Sequence, residues 1–219
     1  MQYRTNRFET FTRSVKVSGS TQVKDWTNDK PDILNLVDNG FFFTPSLKNL
    51  DQVTCVCCGK KEHNINEVDN ISRYHLLNNP DCALSVIVSS FANFLADDNQ
   101  DEFWSSQTRK SIREPLTKES IDMRRKTYKN YWKFDNLVSR PKVTSKSLSE
   151  SGFYYSPIEA GNDRVFCMYC DCCLDHWDEQ DDPIQEHISN LNGNCYFLKK
   201  YHDKENDNAG INSNKSKKK

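Results

Sequence analysis

The amino-acid sequence predicts an α+β fold divided into two small metal-built modules, and three observations carry that expectation. A ligand pattern occurs twice: Cys55-x2-Cys58-x16-His75-x6-Cys82 is matched by Cys167-x2-Cys170-x16-His187-x7-Cys195. Ahead of each copy stands a second repeat, in which Gly40-Phe41-Phe42-Phe43 and Gly152-Phe153-Tyr154-Tyr155 begin at the same distance from Cys55 and Cys167. The 219-residue chain is also too polar for one large core, with 36% hydrophobic and 28% charged residues. Three thiolates and one imidazole are the donor set of a closed tetrahedral zinc site. Two structural Zn2+ ions are therefore expected, one at the centre of each module.

Taken in order, Arg7-x-x-x-Phe11 opens the first module as Arg124-x-x-x-Tyr128 opens the second, and the distance from Arg to Gly is five residues longer in the first copy. That insertion is placed in a loop between Val15 and Lys30. Asp32 and Thr144, eight residues before their glycines, are helix N-caps with Leu36 and Leu148 in register, and the glycines suit the left-handed position that ends a helix. The aromatic and β-branched residues that follow read as strands leading into each cysteine knuckle. Asn70 caps a helix carrying His75, and Asp182-Pro183-Ile184-Gln185 starts one carrying His187, with Pro at the first helical position. Val86, Ile87, Phe91, Phe94 and Leu95 keep helical spacing, which fits either packing on their own module or a partner-binding helix. The expected divisions are 1–95 for the first module with its helix, 96–117 for a polar linker that contains Phe103-Trp104, 118–202 for the second module, and 203–219 for a disordered basic tail.

Several function classes are set aside by composition. Six cysteines are ligands, leaving Cys57, Cys172 and Cys173 as free thiols; with no signal-peptide pattern after Met1, a reducing compartment is expected. No apolar run approaches the ~20 residues that span a bilayer. A net charge of −1 and the lack of a basic helix face after either knuckle argue against a DNA-binding zinc finger. Four protein ligands leave no open position for a catalytic water, and Cys57 with His63 or Cys172 with His176 has no third orienting group. The chain is expected not to be an enzyme. Arg7 and Arg124 are expected to be structural, offsetting the net negative charge of three thiolates around a dication.

With Arg124, Tyr128, Gly152-Phe153-Tyr154-Tyr155, Cys167-x-x-Cys170, Leu174, Trp177, Asp182-Pro183, Glu186-His187 and Cys195 in order, residues 124 to 198 resemble a baculovirus IAP repeat, or BIR domain. Arg7 to Val88 resembles a more divergent copy. Two such modules with an inserted first copy are similar to the survivin-type chromosomal passenger proteins of fungi; inhibitor-of-apoptosis proteins, which bind caspases or free N-termini of pro-apoptotic proteins, are the other branch. No Cys/His cluster for a RING follows the second module. Proteins of the tandem type usually continue into a long tail, so the chain is expected to be a fragment.

The resemblance implies a peptide groove beside the second knuckle that captures a free protein N-terminus. Asp175 and Asp181 suit a terminal ammonium, while Leu174 and a partly exposed Trp177 suit a small first side chain. The acidic run Asp171, Asp175, Asp178, Glu179, Asp181 and Asp182 favours a basic tail. In survivin-like proteins the ligand is the histone tail beginning Ala-Arg-Thr, read when its threonine is phosphorylated. The phosphate-reading positions are Cys172 and Asn190 here, and neither is cationic. In the first module Glu62, His63 and Ile65 stand where the second has Leu174, Asp175 and Trp177, so that module is assigned a structural role or a different surface. Implied partners are an inner-centromere scaffold protein, an Aurora-type kinase, and shugoshin or other centromere proteins. The implied locations are the nucleus, the chromosome at its centromere or kinetochore, and the mitotic spindle.

Overall fold

The computed structural model describes residues 3–96, 111–129, 132–135, 139, 142–159, 161–170, 172–191 and 193–216, with side chains left out beyond 89 in one helix and beyond 207 in another. The first module runs α1 (Arg4–Thr12), β1 (Val15–Lys16), β2 (Val23–Lys24), α2 (Ile33–Asp38), β3 (Phe41–Phe43), β4 (Val53–Cys55), β5 (Lys61–Glu62), α3 (Ile71–Asn78) and α4 (Ala83–Ala96). The second runs α5 (Lys118–Lys126), α6 (Ser145–Glu150), β6 (Phe153–Tyr155), β7 (Val165–Cys167), β8 (Cys173–Leu174), α7 (Pro183–Ser189) and α8 (Tyr196–Ser216). Each module has one three-stranded antiparallel sheet, ordered β3-β4-β5 or β6-β7-β8. Both registers match: Phe41 faces Cys55 and Phe153 faces Cys167.

Local chemistry sets the element boundaries as expected. The Asp32 carboxylate accepts from Leu34 and Asn35 N–H at the start of α2, and Thr144 forms a capping box with Ser147 at the start of α6. Gly40 and Gly152 follow with φ of 83° and 94°, where a side chain would be strained. Asn70 accepts from Arg73 N–H, and Asp182 from Ile184 N–H with Pro183 at the helix start.

Three ties repeat across the modules, the first two of them buried. The Thr10 hydroxyl donates to Arg7 O and accepts from Phe43 N–H, and Thr127 does the same with Arg124 O and Tyr155 N–H. Each tie fastens the opening helix to the first sheet strand. Arg7 Nε donates to Val37 O at 3.1 Å and Arg124 Nε to Ser149 O at 2.8 Å, adding a side-chain donor to carbonyls at the ends of α2 and α6 that also accept from Gly40 and Gly152 N–H. Asp51 accepts from Asn64 N–H and Asp163 from His176 N–H, holding two residues in left-handed conformations of φ 55° and 61°. These aligned acids, each four residues before the first zinc cysteine, are a further repeat that reading the motifs alone misses.

The helix after the first module packs on both modules. Leu84 meets the first core, whereas Ile87 belongs to the second module's apolar cluster and Val86 packs with Leu76, Ala83, Ile112 and Met123. Phe91, Phe94 and Leu95 lie outside the described side chains. The modules also meet where Arg4 and Thr5 N–H donate to Pro157 O and Ile158 O, giving the open donors of α1 acceptors from the second module.

Three expectations need correction. The Val15–Lys30 insertion is not simply a loop: β1 and β2 form a hairpin anchored by Trp26, whose ring meets Phe11 at 5.1 Å and Phe43 at 5.3 Å. The end of the proposed linker is docked, because Ile112 is buried and Pro115 O accepts from Arg124; residues 97–110, including Phe103-Trp104, lie outside the described residues. The chain beyond Asp203 is helical to Ser216 instead of disordered. Packing of Phe197 and Leu198 nucleates α8, after which each added residue gains a backbone hydrogen bond for one pair of dihedrals fixed. Composition speaks to core-forming ability, and a poor core does not prevent helix extension. Lys217, Lys218 and Lys219 fall outside the described residues.

Candidate metal centres and peptide groove

Each metal centre is assembled by the same four pieces of chain. Cys55 and Cys58 bracket the turn after β4, His75 projects from α3, and Cys82 immediately precedes α4; Cys167, Cys170, His187 and Cys195 hold the same places around β7, α7 and α8. In both centres all four donor atoms lie within 4.8 Å of one another. Cys55 and Cys82 Sγ are 3.9 Å apart, as are Cys167 and Cys195 Sγ. Cys58 Sγ lies 3.8 Å from His75 Nε2, and Cys170 Sγ 3.4 Å from His187 Nε2. Tetrahedral zinc at its usual bond lengths sets S···S near ~3.8 Å and S···N near ~3.5 Å. Donor identity and spacing therefore fit one structural Zn2+ per module, and four protein donors close its coordination shell.

The surroundings stabilise thiolates. Cys57 N–H points to Cys55 Sγ at 3.4 Å and Tyr169 N–H to Cys167 Sγ at 3.3 Å. Arg124 is fully buried beside the second centre, giving hydrogen bonds to Ser149 O, Ser120 Oγ, Tyr169 Oη and Pro115 O. Burial lowers its pKa, while Tyr169 and Cys167 pull in the other direction. Arg7 is lowered to about 10, again chiefly by burial. Both arginines are thus structural cations, as the sequence suggested.

The imidazoles differ in their outer nitrogen. His187 Nδ1 lies 2.8 Å from Ser151 O, a contact that makes Nδ1 the protonated nitrogen and turns Nε2 to the metal. His75 Nδ1 is buried with no hydrogen-bond partner among the described residues, and so is Oδ1 of Asn39, the residue that aligns with Ser151. The rings sit alike, tilted at 46° and 40° with centroids 4.6 Å from those of Phe41 and Phe153.

The expected groove residues are held by one another as much as they are free. Leu174 is half-buried on β8 and packs against the core. Asp175 lies 3.5 Å from Arg164 Nε and 2.8 Å from His176 Nδ1, so its charge is already partly matched. Asp181 Oδ2 accepts from Asp178 N–H and shapes the turn before α7. Cys172 is buried with Sγ 3.9 Å from Asn190 O, and Asn190 is exposed with its amide directed to Glu186, so neither residue brings a cation to this corner. Asp171 lies outside the described residues.

Trp177 is the correction here. It is 3% exposed and edge-on to Phe153 at 6.1 Å, a core residue instead of an exposed wall. The aligned residue Ile65 is fully buried too, so the position belongs to the core in both modules. Flanking polar residues suggested exposure, but Asp163, which accepts from the N–H groups of His176 and Trp177, folds this segment back over the sheet. The buried indole N–H of Trp177 has no hydrogen-bond partner among the described residues; Trp26 and Trp132 share that feature, so it does not single out a groove.

A strand-turn knuckle, a His-bearing helix and a cysteine at the mouth of a closing helix, built twice, define a tandem structural-zinc protein whose surface, not its metal, is available for work. The profile described as "Inhibitor of Apoptosis domain", or BIR, matches residues 7–86 and 124–199. The chain belongs to this family. It is 29% identical over 185 residues to the chromosomal passenger complex protein bir1 of Schizosaccharomyces pombe, covering 81% of this chain and 16% of that protein. It is 25% identical over 217 residues to the chromosomal passenger complex protein BIR1 of Saccharomyces cerevisiae, covering 80% and 22%. Death-associated inhibitor of apoptosis 2 of Drosophila melanogaster is 28% identical over 179 residues, covering 80% and 32%. The chain thus spans a third or less of the length of each of these relatives.

Proposed function

We propose that this chain is the tandem-BIR part of a non-enzymatic adaptor of the chromosomal passenger type, which places its complex on centromeric chromatin during chromosome segregation. The observation that carries the reading is similarity to two fungal chromosomal passenger proteins across both modules, at 81% and 80% of this chain. In this reading the second module takes the N-terminus of a histone tail beginning Ala-Arg-Thr. Asp175, Asp178, Glu179, Asp181 and Asp182 support it as a local excess of carboxylates in the sequence, which favours a cationic ligand. An inner-centromere scaffold and an Aurora-type kinase are the partners that such an adaptor would join, in the nucleus at the centromere or kinetochore.

Isothermal titration with an Ala-Arg-Thr peptide, free and N-acetylated, tests the capture step. Affinity near micromolar, about −8 kcal/mol, is expected for the free terminus because one amine and one small side chain are engaged. Equal affinity after acetylation would remove the terminus mechanism. Because Trp177 is core, Asp175→Asn and Asp181→Asn are the informative substitutions, read together with zinc content.

A second reading has a specific observation behind it, the 28% identity to a Drosophila inhibitor of apoptosis over 80% of this chain. It predicts nanomolar to micromolar inhibition of active caspases and no retention on nucleosomes. A parallel nucleosome pull-down and caspase assay separates the two.

A further inference from the structure

We propose that the hairpin peculiar to the first module builds a docking groove for an acidic peptide segment with a large apolar side chain. The groove, about 780 Å3, lies between β1 and the outer face of the sheet β3-β4-β5. Its floor is the cross-strand row Phe42, Thr54 and Lys61, whose neighbours Phe41, Phe43, Val53 and Cys55 turn into the core. Trp26 anchors the insertion to the core, and Ser18 N–H donates to Pro45 O to close one end.

Charge and apolar exposure together select the occupant. Arg13, Lys16 and Lys61 line the groove, and no carboxylate among the described residues does. Glu9 pairs with Arg13 at 3.4 Å and Asp25 accepts from Ser14 nearby, leaving Lys16 and Lys61 exposed with no ion pair among the described residues. The exposed large apolar side chains Val23, Leu47 and Leu50 belong to the hairpin and the loop beside it, and Leu47 lies against the hairpin turn at Gly19. All six exposed large hydrophobics among the described residues, these three with Phe8, Leu34 and Leu77, are in the first module. Cations around an apolar lining of Val15, Pro45 and a partly exposed Phe42 match an acidic segment that brings a hydrophobic anchor.

The second module supplies an internal control. Its equivalent row is Tyr154, Phe166 and Cys173, with the two rings stacked at 6.0 Å and Arg164 placed 5.6 Å over Phe166. That face carries stacked rings with a cation over one of them, and no hairpin among the described residues walls it. The groove is independent of the histone-tail reading of the second module.

The test uses the full chain and a fluorescein-labelled, N-acetylated octapeptide, Asp-Glu-Asp-Phe-Glu-Asp-Leu-Glu, whose blocked amine cannot engage a terminus-capturing site. Saturable binding is expected, with amide shifts at Lys16, Phe42, Thr54 and Lys61. Lys16→Glu with Lys61→Glu should weaken it about tenfold or more, because it replaces attraction by repulsion at both exposed cations. Serine at the Phe and Leu of the probe should have a comparable effect. Zinc content and near-UV dichroism of the double variant establish that it folds; Lys16→Ser with Lys61→Ser gives a milder second pair expected to fall in between. Undiminished affinity in a folded double variant, shifts confined to the second module, or no binding at millimolar probe would overturn the proposal. So would competition by a single-stranded oligonucleotide with no dependence on the probe's apolar residues, which would assign the groove to phosphate backbones.

Discussion

The two zinc modules share one ligand spacing and one set of backbone ties, yet the atoms around their ligands diverge. His187 is oriented by Ser151 O, whereas His75 Nδ1 is buried without a partner among the described residues. Cys170 is half-buried and Cys58 exposed. Tyr169 reaches Arg124 through its hydroxyl; the aligned position in the first module is Cys57, which has no such group. Duplicated ligand chemistry thus specifies the same fold twice, while the atoms one step further out decide how firmly each copy is held.

The largest effect expected from breaking this parallel is loss of a metal ligand. Structural zinc contributes on the order of 10 kcal/mol at neutral pH. Cys58→Ser or Cys170→Ser should each lower zinc from two ions to one and unfold the affected module, as read by elemental analysis and circular dichroism. Full zinc content in either variant would contradict the closed centres.

Next come the buried arginines. Arg124→Met removes the side-chain donor to Pro115 O, Ser149 O, Ser120 Oγ and Tyr169 Oη and should cost about 3–5 kcal/mol. Arg7→Met should cost about 1–2 kcal/mol less, since its bond to Val37 O is longer and its burial less complete. Denaturant titration of the two variants compares them directly.

Replacing the helix-stop glycines gives a smaller contrast. At Gly152 a new Cβ would sit 2.9–3.1 Å from three atoms of the Phe197 ring, and at Gly40 it would meet the flexible end of Leu84. Both substitutions carry about 1–2 kcal/mol of left-handed strain. Overpacking against a rigid ring should make Gly152→Ala the worse by about 1 kcal/mol in thermal unfolding.

Chelator competition on the intact chain sharpens the comparison further. A hydrogen bond to the outer nitrogen of a ligating histidine is worth roughly 10–100-fold in metal affinity. The first ion should leave in an earlier phase than the second, and release in one phase would show the Ser151 contact to be without consequence. At the small end, phosphorylating the threonine of an Ala-Arg-Thr peptide should change affinity less than about threefold, because Cys172 and Asn190 offer no positive charge. A gain of tenfold or more would require a cation that reaches the groove from elsewhere.

Sequence alone determined the ligands, the caps at Asp32, Thr144 and Asp182, the helix-ending glycines and the strands they introduce. These are governed by contacts within a few residues or by a spacing that a metal ion imposes, and both are written linearly in the chain. Tertiary structure alone decided that Trp177 is core, that Ile87 leaves its own module to pack on the other, that Ile112 pins the linker, and that Asp163 folds the groove segment inward. Each depends on what a distant segment brings to the residue, because burial is a property of the space around a side chain. A tryptophan between aspartates looks exposed until Phe153, from a strand much earlier in the module, is seen to cover it.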